Sequence, residues 1–470
     1  MNEMPFGFGK PGDDDDERGS GRGSGGSGGS GAENPLGFGG FGGFGGMGGG
    51  DIGEALHRFA DMLSWQGGPV NWDLAKDVAR QAAAGDDRSI VDSERAAVTD
   101  AIRLAELWLD PVTSFAAATT SAHAWSRAEW IEATLATWTT LVEPVATKVV
   151  DAFGGELSGG LPGLAGMPGF PEGDESGALP PEMAQMAGPL MSMMRQMGGV
   201  MFGGQVGQAL GALSREVVSS TDVGLPLAGI GNAALLPAGI AAFGEGLGLP
   251  EDEVRLFVAL REAACHRLFA GVPWLRARLF AAVDDYARGI TVDTSHMQEA
   301  LGSIDPTNPE ALQEALAGGL FEPQETPAQQ AALARLETLL ALIEGWIDDV
   351  VRQAGTGRLA GTDALAETVR RRRASGGPAE QTFGTLVGLE LRPRRMREAA
   401  ELWRLLRENR GPEGRDALWE HPDLLPTSDD FDDPAAFVDR RDIDLDISDI
   451  TGLDAPPEEP GTGESGAPEH

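Results

Sequence analysis

Glycines at positions 199, 203, 207 and 211 recur every fourth residue through MAQMAGPLMSMMRQMGGVMFGGQVGQALGALSREVVSS. Residues four apart share one face of a helix. The ladder therefore leaves one helix face without side chains, and another backbone can lie directly against it. Membrane helix pairs use such a ladder too, but Arg195, Gln196, Gln205 and Gln208 interrupt this stretch. No run of about 18 uninterrupted apolar residues occurs anywhere in the chain. The ladder thus predicts a helix packed tightly against a second one in a soluble core, with the surrounding methionines as pliable filler.

The rest of the central region carries the same helical period. DIGEALHRFADMLSW reads as a first amphipathic helix. GGPVNWDLAKDVARQAA reads as a second, with Asn71 as its N-cap after a Gly-Pro turn. SERAAVTDAIRLAELWLDPVT, SRAEWIEATLATWTTLVEPVATKVVDAF, GLPEDEVRLFVALREAACHRLFAG, VPWLRARLFAAVDDYARGI, PAQQAALARLETLLALIEGWIDDVVRQA and RPRRMREAAELWRLLRENRG follow, the last as the final substantial helix. Strand-like alternation is scarce, so the fold class is mostly α, with an N-terminal and a C-terminal helical half. Residues 1–50 are Gly/Ser-rich and bury too little apolar surface to offset the entropy of ordering, so they read as a disordered tail. Residues 51–425 form the helical domain, with a Gly/Pro-rich flexible loop near 154–182. Residues 426–470 read as an acidic disordered tail: from 421 onward there are 15 acidic residues against two arginines. Within it, FDDPAAFVDRRDIDLDISDI reads as solvated, with a short strand or a docking peptide as alternatives.

Net charge is -37, which repels phosphate backbones and anionic surfaces and argues against a nucleic-acid binder. Arginines at 370–373 and at 392, 394, 395 and 397 read as helix-surface ion-pair partners in this acidic setting. All but three of the 36 basic residues are arginine, a skew that suggests a GC-rich genome. One cysteine excludes an internal disulfide and fits a reducing compartment. The N-terminal residues lack the apolar core of a signal peptide, so the expectation is a cytoplasmic protein without a membrane span.

The chemistry-bearing stretch is LREAACHRLF, Leu260–Phe269. Zinc peptidases place H-E-x-x-H on a helix, so that two imidazoles four residues apart bind one zinc and the glutamate activates its water. Here the frame reads Arg261-Glu262-Ala263-Ala264-Cys265. A later helix carries Glu344 and Asp348 in an E-x-x-x-D frame. That spacing suits a third metal ligand and a carboxylate that orients the first histidine. An ordinary helix with one buried thiol is the plainer reading of the first stretch alone.

Five phrases together resemble the actinobacterial zincin-like metallopeptidase family: MPFGFG at Met4–Gly9, GGPVNWDLA at Gly67–Ala75, GGQVGQALGAL at Gly203–Leu213, LREAACHRLF with VPWL at Val272–Leu275, and LIEGWIDDV at Leu342–Val350. The resemblance spans most of residues 51 to about 425. It implies a zincin-like helical fold, zinc as cofactor, and a peptidase or hydrolase activity. It puts Glu262 at the general-base position, Glu344 at the third-ligand position and Asp348 behind the first ligand.

The ligand set departs from that pattern. Arg261 stands at the first histidine position and cannot ligate zinc. Cys265 stands at the second and could ligate only as thiolate. His266 lies about 100° around the helix from Cys265 and cannot simply replace either ligand. The expectation is that Arg261 sits between Glu344 and Asp348 and supplies the charge of the missing metal, since a buried carboxylate pair without a cation is costly. Two functional classes follow. One is an interaction or regulatory protein on a retired peptidase scaffold, taking a peptide or protein partner. The other is a zinc hydrolase with an unusual ligand set of Cys265, Glu344 and His266. A Cys265 thiol paired with His57, His123 or His296 is a further, weaker arrangement.

Overall fold

A computed structural model describes residues 68–158, 181–289, 326–376, 384 and 395–444. The helix read at 51–65, the interior of the 154–182 loop, His57, His296 and the outer parts of both tails lie outside the described residues. The described chain is mostly helical. In order it runs α1 (Trp72–Ala83), α2 (Asp92–Leu109), β1 (Ser121–Ala124), α3 (Arg127–Ser158), α4 (Pro181–Glu216), β2 (Asn232–Leu235), α5 (Pro237–Gly244), α6 (Glu251–Gly271), α7 (Pro273–Arg288), α8 (Pro327–Gly355), α9 (Thr362–Ala374), α10 (Met396–Asp416) and α11 (Pro434–Asp444).

Local chemistry sets the helix starts. Asn71 accepts from the Leu74 amide at 3.0 Å as the N-cap of α1. Thr326 and Gln329 form a reciprocal capping box at the start of α8, with Pro327 in its first turn. Glu251, Asp252 and Glu253 crowd the first turn of α6, where carboxylates face the positive end of the helix dipole.

The glycine ladder of α4 meets α1. A Cβ on Gly203 would lie 2.5 Å from the Asn71 carbonyl oxygen, one on Gly207 2.6 Å from that of Ala75, and one on Gly211 2.6 Å from the Ala82 Cβ. The Gly199 carbonyl accepts from the Asn71 amide at 2.8 Å. The two backbones touch along three turns because no side chain separates them. Gly345 does the same on α8, where an added Cβ would meet the Ala400 amide nitrogen of α10 at 2.7 Å.

Helices α6 and α8 form the centre. Nearly every residue of α6 from Phe257 to Phe269 is buried, as is every residue of α8 from Leu339 to Val351. A helix buried all round must neutralise its polar residues internally. Arg267 does so by donating to Glu106 Oε2, the carbonyls of Glu106 and Phe115, and Asp110 Oδ1, at 2.5–3.1 Å. Asp416 closes the far end. Its carboxylate accepts from Thr113 Oγ1 at 2.6 Å, the Ser114 amide at 2.8 Å, Trp346 Nε1 at 2.8 Å and Arg415 Nε at 2.8 Å. Gly411, at φ 74°, breaks α10 and turns Arg415 and Asp416 inward.

The N-terminal and C-terminal helical halves share one core: α2 lies on α6, and α8 contacts α3's neighbour α7 as well as α6 and α10. Two expectations change. Packed structure continues past residue 425, because α11 and the turn before it bury Phe431, Phe437 and Val438. Those three apolar side chains suffice to dock an otherwise acidic segment. Finally, β1 and β2 form a short parallel pair, in register from Ser121 with Asn232 to Ala124 with Leu235. Ser219 bridges Leu235 from the other side. This small sheet carries the 217–224 segment against α6. Among the described residues no helix is long and apolar enough to cross a membrane.

Candidate functional site

The zincin frame of α6 faces α8, α9 and the 217–224 segment. Glu262 is fully buried. Its Oε1 accepts from Ser220 Oγ at 2.5 Å and the Ala234 amide at 2.8 Å, with His266 Nε2 at 3.3 Å. Its Oε2 accepts from the Thr221 amide at 3.0 Å and Thr221 Oγ1 at 2.5 Å. Burial alone would raise the Glu262 pKa, but the bonds from His266, Ser220 and Thr221 outweigh it and hold the group below the usual glutamate value. The carboxylate is thus ionised and fully occupied.

His266 is equally committed. Its Nδ1 accepts from the Gly231 amide at 3.1 Å. Nε2 therefore donates to Glu262, and neither ring nitrogen is free. Cys265 is buried, and burial together with the carboxylates of Glu262 and Glu344 pushes its thiol well above the ordinary range. With these neighbours the sulfur carries its proton. His123 lies exposed on β1, stacked on Trp125.

Arg261 and Glu344 do meet, with Nη2 2.6 Å from Oε2. Asp348 is elsewhere engaged: its Oδ2 pairs with Arg370 Nη1 at 3.1 Å. Arg261 therefore pairs with one carboxylate of the two expected. Asp348 Oδ1 and Arg261 Nη1 are buried without partners. For Asp348, burial exceeds the pull of Arg370 and Arg261, and its pKa is raised.

Sequence reading missed the other cation. Arg373 Nη2 lies 2.7 Å from Glu344 Oε1 and also donates to the Asp222 carbonyl. Arg372 pairs with Asp222 Oδ2 at 3.1 Å. Of the 370–373 cluster only Arg371 points outward, to Glu367. The other three turn in toward acids on α8 and the 217–224 segment, so the surface ion-pair reading fails for them. The arginine run was visible in the sequence, but the acids it turns toward lie on other elements. Ser219, Asp222, Phe243, Arg261, Glu344 and Arg373 line a cavity of about 20 Å³, room for about one water.

Zinc needs deprotonated donors with free lone pairs. Arg261 has none, His266 has no open nitrogen, and both oxygens of Glu344 face guanidinium groups, which leaves Cys265 as a lone sulfur. Among the described residues no three His, Cys, Asp or Glu side chains are grouped to hold a metal ion. The residues present do not fit the metal.

The family profile described as zincin-like metallopeptidase matches residues 70–438. A crystal structure described as "a putative hydrolase with a novel fold", from Chloroflexus aurantiacus, is similar in fold, with a TM-score of 0.54 at 18% identity. The match covers 79% of this chain and 99% of that one. A comparison with curated proteins finds no match.

Proposed function

The chain belongs to the zincin-like metallopeptidase family, and from that premise we propose that it is a non-catalytic member, acting through a protein or peptide partner instead of by hydrolysis. The observation that carries this reading is the bonding of Glu344. The position that would supply a third metal ligand has a guanidinium on each oxygen, at 2.6 and 2.7 Å. The general-base position agrees with it. A base must have a lone pair open to the attacking water, and the oxygens of Glu262 are taken by Ser220, Thr221, Ala234 and His266. The words "putative hydrolase" describe the Chloroflexus aurantiacus protein, and a shared fold does not carry that activity to a site whose groups are spent in this way. What the scaffold retains is a rigid ion-paired centre on which a binding surface can be held.

The test is metal content by mass spectrometry on tag-free, full-length protein after zinc loading, beside Glu344→Ala. The expected result is no bound zinc in either. About one zinc per chain, lost in the variant, would overturn the reading in favour of a hydrolase that ligates through Cys265 and Glu344.

A further inference from the structure

We infer that Arg373 is the second half of a two-arginine replacement for the metal, and that it guards Glu344 against a dication independently of the altered α6 motif. The inference rests on the non-catalytic reading above.

Glu344 is 3% exposed and needs a buried cation. Arg261 supplies one positive charge and Arg373 the other, the same total as a zinc ion. They reach the carboxylate from different helices, Arg261 from α6 and Arg373 from α9, so neither depends on the other's backbone. Arg373 is also fixed in place. It donates to the Asp222 carbonyl, while its neighbour Arg372 donates to the Glu216 carbonyl at 2.5 Å and to Asp222 Oδ2 at 3.1 Å. The end of α9 is therefore strapped to the 217–224 segment, which also holds Glu262 through Ser220 and Thr221. Putting histidines back on α6 removes the charge of Arg261. It leaves the guanidinium of Arg373 on Oε1, beside the place a metal would occupy. A fixed positive charge there repels a dication and claims one of the ligand oxygens.

The experiment compares Arg261→His/Cys265→His with the same pair plus Arg373→Gln in the full chain. Zinc affinity is read by competition with a chromophoric chelator. The visible spectrum after cobalt loading reports tetrahedral ligation. The triple variant is expected to bind zinc about 10–100-fold more tightly than the double, the range seen when groups around metal ligands are changed. Equal affinities would overturn the inference. The unmodified chain is loaded alongside; stoichiometric zinc there would instead remove the non-catalytic reading. Should the triple variant fail to fold, a double-mutant cycle of Arg373→Gln and Glu344→Gln in the parent decides, read by urea unfolding. Coupling of about tenfold or more in the unfolding equilibrium constant is expected for a buried pair. Absence of coupling overturns the inference.

Discussion

Glu262→Gln separates a catalytic carboxylate from a structural one. A general base in an open site can be replaced by its amide with little effect on folding. Here the amide must replace an ion that accepts from both sides. The least costly orientation keeps the oxygen toward Ser220, Ala234 and His266 and turns the NH₂ toward Thr221. The Thr221 hydroxyl can rotate to accept, but its backbone N–H cannot. One buried N–H is then orphaned at about 1–3 kcal/mol, and the remaining bonds lose their charge assistance. The expected loss is about 4 kcal/mol, roughly a thousandfold in the unfolding constant. Urea unfolding followed by tryptophan fluorescence measures it. The pH dependence follows from the depressed pKa of Glu262. The stability this group contributes is fully present above its unfolded pKa of about 4.3 and is lost as pH falls through the folded value. The gap between parent and variant should stay constant from about pH 7 to about pH 5 and narrow only in stronger acid. A variant within about 0.5 kcal/mol of the parent, the scale of an ordinary surface change, would refute the structural assignment and restore Glu262 as a candidate base.

Two further outcomes test the packing and the thiol. Gly207→Ala should cost about 1–3 kcal/mol, because its Cβ would meet the Ala75 carbonyl and Val78 at 2.6 Å. Gly204→Ala, with nothing within 4 Å, should instead stabilise the helix by up to about 1 kcal/mol; equal shifts in thermal unfolding would contradict the α1–α4 contact. Cys265 should resist an aromatic disulfide reagent in the native protein at about pH 8 and react fully in urea, so rapid stoichiometric labelling of folded protein would count against its burial. Because its folded pKa is raised, stability should also decline as pH rises past the unfolded thiol's value of about 8.5.

Helical period and end chemistry made most of the fold legible. Asn71 caps where its side chain predicts, and the glycines of α4 report a backbone contact that only a side-chain-free face allows. The meeting of Arg261 with Glu344 was legible because both sit in fixed helical frames. The partners of Glu262 were not. Ser220, Thr221 and Ala234 lie on irregular chain and a four-residue strand, where no period ties them to α6. Arg373 was hidden differently: the arginine run was visible, but its inward turn depends on acids contributed by α8 and the 217–224 segment. The docking of α11 rests on three apolar side chains among acids, too few for a composition argument to find.

The carboxylate of Asp416 has a consequence for how the chain is made. Its bond to Thr113 spans 303 residues. At about 5–20 residues per second, Thr113 and Ser114 wait roughly 15–60 s after their own synthesis before their partner exists. Trp346, at the middle of α8, waits for the same group. The centre of the molecule cannot be finished while the ribosome still holds the last quarter of the described core. Helices can form as they emerge, but final closure waits for synthesis past residue 416, and a chain cut short before it leaves Thr113 and Ser114 without the anion that locks them.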